Sequence, residues 1–310
     1  MPITLARAEQ HVSDWSTRLQ GFPRLMWASH LFHACQLEVA VAILRGGALR
    51  CRNGAGELLC DVANQGALWN NPVAHNYARL YFRPRNSFHL KTEGIKRIGD
   101  PYRVDPHMSI PIMLAFDFKK ILTLPSSGFL YGNFAHLGAQ VQSGDPAFDQ
   151  LDFFKIYHDA PPATDGDAIR EARMSEVVVE HEVSTNLLNA VVCRTVQDLA
   201  TLKHSLGDFV PSVPLIVERQ SNIFQRRSIY IRELYYDAGC LHFLLTYPHS
   251  GGLQGLKLRV ASDLFDRTYT VDTNRFQIEC PGADPSTVWA IYIEDCMAYY
   301  APVPWESGLV

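Results

Sequence analysis

His75-Asn76-Tyr77-Ala78-Arg79-Leu80-Tyr81-Phe82-Arg83-Pro84-Arg85 is the stretch from which the rest of the chain can be read. Tyr77–Phe82 has the composition of a strand, and the period of two places Tyr77, Arg79, Tyr81 and Arg83 on one face. Arginine interleaved with tyrosine suits a surface that holds phosphates and stacks on bases. A solvated edge strand with snorkelling arginines would show the same pattern. The surroundings are basic: seven Lys or Arg and two acids lie between His75 and Arg103, in a chain whose formal net charge is −4. A local basic band can bind an anion on an acidic protein.

Upstream, residues 3–20 have helical spacing, closed by Gly21 and Pro23. Trp27–His33 reads as a strand ending in His33, and Leu37–Leu49 as an amphipathic helix stopped at Gly46-Gly47. Residues 50–75 read as a long loop with a helical turn, a length often tied to function. Downstream, residues 110–116 form a buried strand whose Pro111 puts its start near an edge or end of the sheet. Glu176–His181 and Leu188–Cys193 are further strands, and Val196–Leu206 is a helix. Past Gly207–Pro214, a linker bracketed by Pro211 and Pro214, the pattern turns to short strands separated by turn residues. The expected architecture is therefore α+β. An N-terminal helical extension spans 1–24, a mixed domain spans 25–207, and an all-β, sandwich-like domain spans 212–305.

Of the 310 residues, 47% are hydrophobic and 19% charged, an ordinary globular balance. No apolar run is long enough for a bilayer, and Met1–Gln20 lacks the apolar core of a signal peptide, so no membrane association and a cytoplasmic location are expected. Seven cysteines without a C-x-x-C pair argue for reduced thiols rather than a disulfide framework or a zinc site. The chain also lacks a phosphate loop, a dinucleotide G-x-G-x-x-G, a G-x-S-x-G elbow and an H-E-x-x-H helix. Kinase, P-loop NTPase, Rossmann dehydrogenase and α/β-hydrolase chemistry are poor readings.

Two further residues draw attention. His33 closes a strand directly before a helix, where a satisfied structural histidine is the ordinary case. Glu176 follows Arg173-Met174-Ser175 and opens the apolar run Val177-Val178-Val179, where a surface carboxylate is the ordinary case. Taken with the arginine strand, these pieces resemble the DarT family of DNA ADP-ribosyltransferase toxins, and within it the guanine-modifying branch. The resemblance covers about residues 27–206. It is carried by Phe32-His33, Ala42-Ile43-Leu44-Arg45-Gly46-Gly47, Tyr77–Arg85, Glu93-Gly94-Ile95, Gly132-Asn133, Phe154–Asp159, Glu176-Val177 and Val191–Arg194. A loop arginine that is catalytic in the thymine-modifying branch has no clear match between Asn53 and His75.

The resemblance implies a split mixed sheet that clamps NAD⁺ in a cleft. It implies that His33 bonds the nicotinamide-side ribose, that Tyr81 lies near the nicotinamide, and that Arg83 and Arg85 neutralise the pyrophosphate or a DNA backbone. Glu176 is the implied catalytic carboxylate, with His33 beside it, and no metal is called for. Tyr77, Arg79, Arg85 and Asn86 are the implied contacts to single-stranded DNA. A macrodomain antitoxin of the DarG type is the implied partner. Two other readings use the same residues: a transferase acting on RNA or protein, and an inactive module that binds NAD⁺ or nucleic acid.

Overall fold

A computed structural model describes residues 1–56, 71–100, 103, 105–161, 165–248 and 251–305. Most of the long loop expected over 50–75 lies outside the described residues. Nine strands precede residue 218 among those described: β1 (His30–Gln36), β2 (Ala48–Arg50), β3 (Tyr77–Tyr81), β4 (Pro111–Asp117), β5 (Ser127–Leu130), β6 (Glu176–Glu180), β7 (Glu182–Ser184), β8 (Leu188–Cys193) and β9 (Leu215–Val217). Seven of them form one sheet in the order β5-β6-β3-β1-β4-β8-β9, while β2 and β7 pair separately. Every neighbouring pair in the large sheet is antiparallel except β8 with β9.

The centre of the sheet follows from composition. β4 is buried along Pro111–Phe116, as an apolar run on a covered central strand must be. Pro111 stands at its first residue, opposite Gln36, so the missing N–H interrupts no interior ladder bond. β1 pairs with β4 over its full length, from His30 to Gln36, yet it meets β3 at the single register pair Phe32–Tyr81. The sheet is thus nearly parted between β1 and β3. Each half is held by its own ladder, β4 on one side and β6 on the other.

Two local expectations change. The apolar run from Trp27 is a helical turn, α2 (Leu25–Ser29), and β1 begins only at His30. Periodicity cannot separate a short buried helix from a strand. The N-terminal helix, α1 (Leu5–Arg18), is no extension. Its Thr4 cap accepts the Arg7 N–H at 3.2 Å, and the same Thr4 hydroxyl donates to Asp145 at 2.7 Å. Its His11 is buried, stacked on Phe118 at 4.6 Å and bonded to the Tyr157 hydroxyl at 3.0 Å. Burial, helped by the Arg7 charge, lowers the His11 pKa to about 3, so the ring sits neutral within a cluster that includes Phe82, Phe148 and Phe153. The segment 1–24 is part of the main core. After β1, the helix α3 (Leu37–Gly46) ends on Gly47 in the left-handed region at φ 75°.

The domain boundary placed at 212 also moves. β9 lies beyond the Pro211–Pro214 segment, and it joins the large sheet beside β8, with the Pro214 carbonyl accepting the Val191 N–H at 3.0 Å. The C-terminal unit starts near Ile229. It consists of β10 (Ile231–Asp237), β11 (Cys240–Leu245), β12 (Leu256–Ser262), β13 (Phe265–Val271), β14 (Arg275–Glu279), β15 (Val288–Ile293) and β16 (Cys296–Pro302). These form antiparallel sheets in the orders β10-β11-β14 and β13-β12-β15-β16, and both sheets feed one apolar cluster that includes Leu241, Leu258, Trp289 and Tyr299.

Glu93-Gly94-Ile95 locks this unit to the first. The buried Glu93 carboxylate accepts the backbone N–H groups of Gln225 (2.7 Å) and Arg226 (2.8 Å), and Ile95 bridges Ile229. Gly94 has φ +73°, and a Cβ there would stand 2.7 Å from the Ser228 Cβ, so only glycine fits. A protease cutting the exposed Gly207–Val210 segment is therefore expected to nick the chain without parting it. The two fragments should co-elute in gel filtration until denaturant is added, and separation in native buffer would contradict this packing.

Candidate active site at the parted strands

Glu176 is the first residue of β6 and its side chain is fully buried at 0% exposure. Register places it opposite Tyr81, with Arg79 opposite Val178, so Glu176, Tyr81 and Arg79 share one face. The Arg79 guanidinium spans the carboxylate with both arms: Nε donates to one oxygen at 2.6 Å and Nη2 to the other at 2.5 Å. The Phe134 N–H adds a bond at 3.3 Å. Arg79 Nη2 also donates to Asn133 Oδ1 at 3.1 Å, and that oxygen accepts the Ala135 N–H at 2.8 Å. Burial disfavours the Arg79 charge, but the Glu176 carboxylate and its hydrogen bonds more than offset this, and the Arg79 pKa is raised. Tyr81 is buried at 8%, and burial together with the nearby carboxylate raises its pKa, so it stays a phenol.

His33 reaches the same place from β1. Its Nδ1 lies 3.0 Å from the Arg79 carbonyl, across the line where β1 and β3 part. Burial lowers its pKa, the carbonyl bond opposes this, and the Arg79 charge adds to the lowering, so the ring is neutral near pH 7. A carbonyl only accepts, so Nδ1 carries the hydrogen and Nε2 presents a lone pair. No protein group among the described residues bonds Nε2. The site offers a hydrogen-bond acceptor on one side of the parting, and a buried carboxylate clamped by a cation on the other.

The remaining candidates lie at increasing distance from this centre. Tyr77 shares the face of Arg79, packs edge-on to Phe134 at 5.5 Å and stands opposite Glu180 in the ladder. Arg83 lies past the end of β3 and is buried, with Nη1 donating to the Ile156 carbonyl at 3.1 Å and to that of His158, Nη2 donating to Asp159 at 2.9 Å, and its guanidinium over Trp27 at 4.7 Å. Arg85 donates to the other Asp159 oxygen at 3.2 Å. Asn86 is buried as a helix cap, its Oδ1 accepting the His89 N–H at 2.9 Å.

Sequence reasoning missed His89. It is buried beside Tyr81, edge-on at 5.5 Å, and lowered to about 4 chiefly by burial. Its Nδ1 donates to the Pro84 carbonyl, and its Nε2 has no hydrogen-bond partner. The Asn86-to-His89 cap spacing was the only signal, and it marks a helix start rather than a site.

Comparison with known proteins completes the description. A family model described as "ssDNA thymidine ADP-ribosyltransferase, DarT" matches residues 62–225, just over half of the chain. The structure is similar to that of Thermus sp. 2.9 DarT in complex with carba-NAD⁺, with TM-score 0.51 and 15% identity over 63% of this chain and 97% of that one. It is equally similar to the same protein in complex with ADP-ribosylated ssDNA, with TM-score 0.51 and 14% identity over 63% and 96% of the two chains. At such identity the structural likeness speaks for the fold. No curated protein matches the chain.

Proposed function

Because the chain belongs to the DarT family of single-stranded-DNA ADP-ribosyltransferases, we propose that it transfers ADP-ribose from NAD⁺ to a base of single-stranded DNA at the parting of β1 and β3. The observation that carries the reading is the buried Glu176 carboxylate, clamped by Arg79 and facing Tyr81, with the open Nε2 of His33 across the gap. The seven-stranded sheet acts as the split sheet, with the NAD⁺ cleft at its parting. The two C-terminal sheets alternate buried and exposed residues around one core, which supports a sandwich.

The residues fit NAD⁺ in a specific way. His33 Nε2 accepts a hydrogen bond from a ribose hydroxyl on the nicotinamide side and so fixes the sugar. Tyr81 stays protonated and borders the nicotinamide ring, with the unpaired His89 Nε2 beside it. Glu176 Oε1 accepts from both Arg79 and the Phe134 N–H, whereas Oε2 accepts from Arg79 Nε alone and retains lone-pair capacity for a ribose hydroxyl.

In the transfer, the bond from ribose C1′ to the nicotinamide nitrogen breaks and its electron pair leaves with nicotinamide. The lone pair of a base nitrogen forms the new bond to C1′, and Glu176 takes the proton from that nitrogen. As positive charge grows on the sugar, a fixed carboxylate beside it lowers the barrier. The base must be unpaired for its nitrogen to reach C1′. The buried Arg83 is committed to the 156–159 segment and in this reading forms the wall of the cleft. Tyr77, Arg79 and Arg85 line the side of the sheet along which DNA would lie.

On the base, the proposal is guanine, supported by the sequence resemblance, where the description of the matching family model names thymidine. Incubation with labelled NAD⁺ and single-stranded DNA, duplex DNA, RNA or protein, followed by mass spectrometry of the digested nucleosides, decides it. Label on single-stranded DNA is expected, at guanine. Label only on thymine overturns the base, and label only on RNA or protein overturns the acceptor. The same resemblance proposes a DarG-type macrodomain as the partner that removes the modification.

A further inference from the structure

Beyond the reacting centre, the structure holds a second surface where arginines and aromatic rings meet. A groove of about 430 Å³ runs between α1 and the 154–160 segment, bordered by Trp15, Arg18, Arg24, Phe154 and Asp159. Its lining combines cations and rings, and the Arg18 guanidinium lies over Trp15 at 5.7 Å and over Phe154 at 5.2 Å. Arg24, also on the lining, lies over Phe22 beside the groove at 4.8 Å and over the fully buried Trp27 at 5.7 Å. Neither arginine has a carboxylate partner among the described residues. Arg18 does not pair with Asp14, one turn earlier on α1, and Arg24 spends Nη1 on the Tyr157 carbonyl at 2.6 Å.

Phe154 is 67% exposed and Phe22 52% exposed, while Trp15 packs edge-on to Phe154 at 5.0 Å. Single exposed apolar residues are ordinary; exposed rings each paired with a guanidinium that has no carboxylate partner are not. Among the described residues the one acid lining the groove, Asp159, is already matched by Arg83 at 2.9 Å and Arg85 at 3.2 Å, which leaves Arg18 and Arg24 as the lining's unmatched charges.

We infer that this groove binds the flank of the single-stranded DNA whose base reacts at Glu176, with bases stacking on Phe154 and Phe22 and phosphates on Arg18 and Arg24. The inference rests on the acceptor proposed above. Continuity favours it: Tyr81 faces Glu176, and two residues later Arg83 is bound to Asp159 on the groove. Two residues span at most about 7 Å between Cα atoms, and the buried Arg83 side chain runs from that strand end to the groove's Asp159. Stacking on aromatic rings and charge-tracking of phosphates are the two components of sequence-tolerant single-strand binding.

The test is fluorescence anisotropy on Glu176→Gln protein, which binds without turnover, using oligonucleotides of about 6 and about 16 nucleotides. Phe154→Ala with Arg18→Ala is expected to weaken the longer oligonucleotide about tenfold and to leave the shorter one within about twofold. The slope of log affinity against log salt for the longer one should become shallower by about 0.7 for each phosphate that the variant no longer neutralises. Both side chains are exposed, and an unchanged melting temperature shows that the fold is intact. Arg18→Glu alone should act in the same direction.

Unchanged affinity for the longer oligonucleotide overturns the inference, as it would if a protein or a second copy of this chain occupied the groove. Equal weakening at both lengths also overturns it. Labelling by the wild-type protein separates this from the acceptor reading. Labelled single-stranded DNA with no effect of the variants refutes the groove alone, and weakened binding in the variants with no labelled DNA refutes the acceptor alone.

Discussion

Glu176→Gln is expected to lower ADP-ribosyl transfer by about a hundredfold or more while the protein still folds and retains NAD⁺. The substitution keeps an amide oxygen where Arg79 Nη2 and the Phe134 N–H now find Oε1, at 2.5 and 3.3 Å, and gives up only the bond from Arg79 Nε, which then faces the amide nitrogen. In the proposed transfer it removes the charge beside the developing cation on the sugar, together with the base for the acceptor's proton. Glutamine is the sharper probe because alanine would also strand the Arg79 guanidinium, mixing a folding cost with the catalytic one. Single-turnover labelling of an oligonucleotide, with NAD⁺ affinity measured separately by calorimetry, distinguishes the two effects. Turnover near the wild-type rate in Glu176→Gln would remove this residue from the chemistry.

What could be read in advance depended on whether the signal was local. The alternation along Tyr77–Tyr81 was legible because one side of β3 meets the core at Ala78 and Leu80 while the other carries Tyr77 and Arg79. The environment of Glu176 was not. By itself it is an acid at the head of a strand, ordinarily exposed, and its burial follows from pairing with Tyr81, 95 residues earlier in the chain (176 − 81). Register between distant strands is set by the whole sheet, so the sequence showed both members of the Arg79–Glu176 pair and gave no sign that they meet.

Arg83 shows the same limit from the other side. An arginine continuing an alternating strand reads as a ligand contact, but the chain turns after Tyr81 and buries it over Trp27. β9 was legible as one of the short strands past the linker, but Pro211 and Pro214 before it, which also mark linkers, placed it in the C-terminal unit and not beside β8. The last strand, β16, Cys296-Met297-Ala298-Tyr299-Tyr300-Ala301-Pro302, lacks the β-branched residues that announce one. The resemblance supplied the site, and the ladder between β3 and β6 supplies the reason its parts converge.

Arg79→Ala should do more than weaken binding along the sheet face. With Arg79 gone, a carboxylate at 0% exposure is deprived of two charge-assisted hydrogen bonds and its only close cation among the described residues. Glu176 then keeps the Phe134 N–H as its one hydrogen bond among the described residues. The carboxylate is no longer held in place by a guanidinium, so activity at neutral pH is expected to fall by about tenfold or more. Stability should drop by about 2 kcal/mol or more, since the desolvated group is left uncompensated. Arg79→Lys separates charge from geometry. A single ammonium restores the cation but cannot hold both oxygens at once, so kcat recovers only in part. Unchanged activity in Arg79→Ala would mean that the arginine serves only the fold, and that the Phe134 amide and the surrounding backbone suffice to hold the carboxylate.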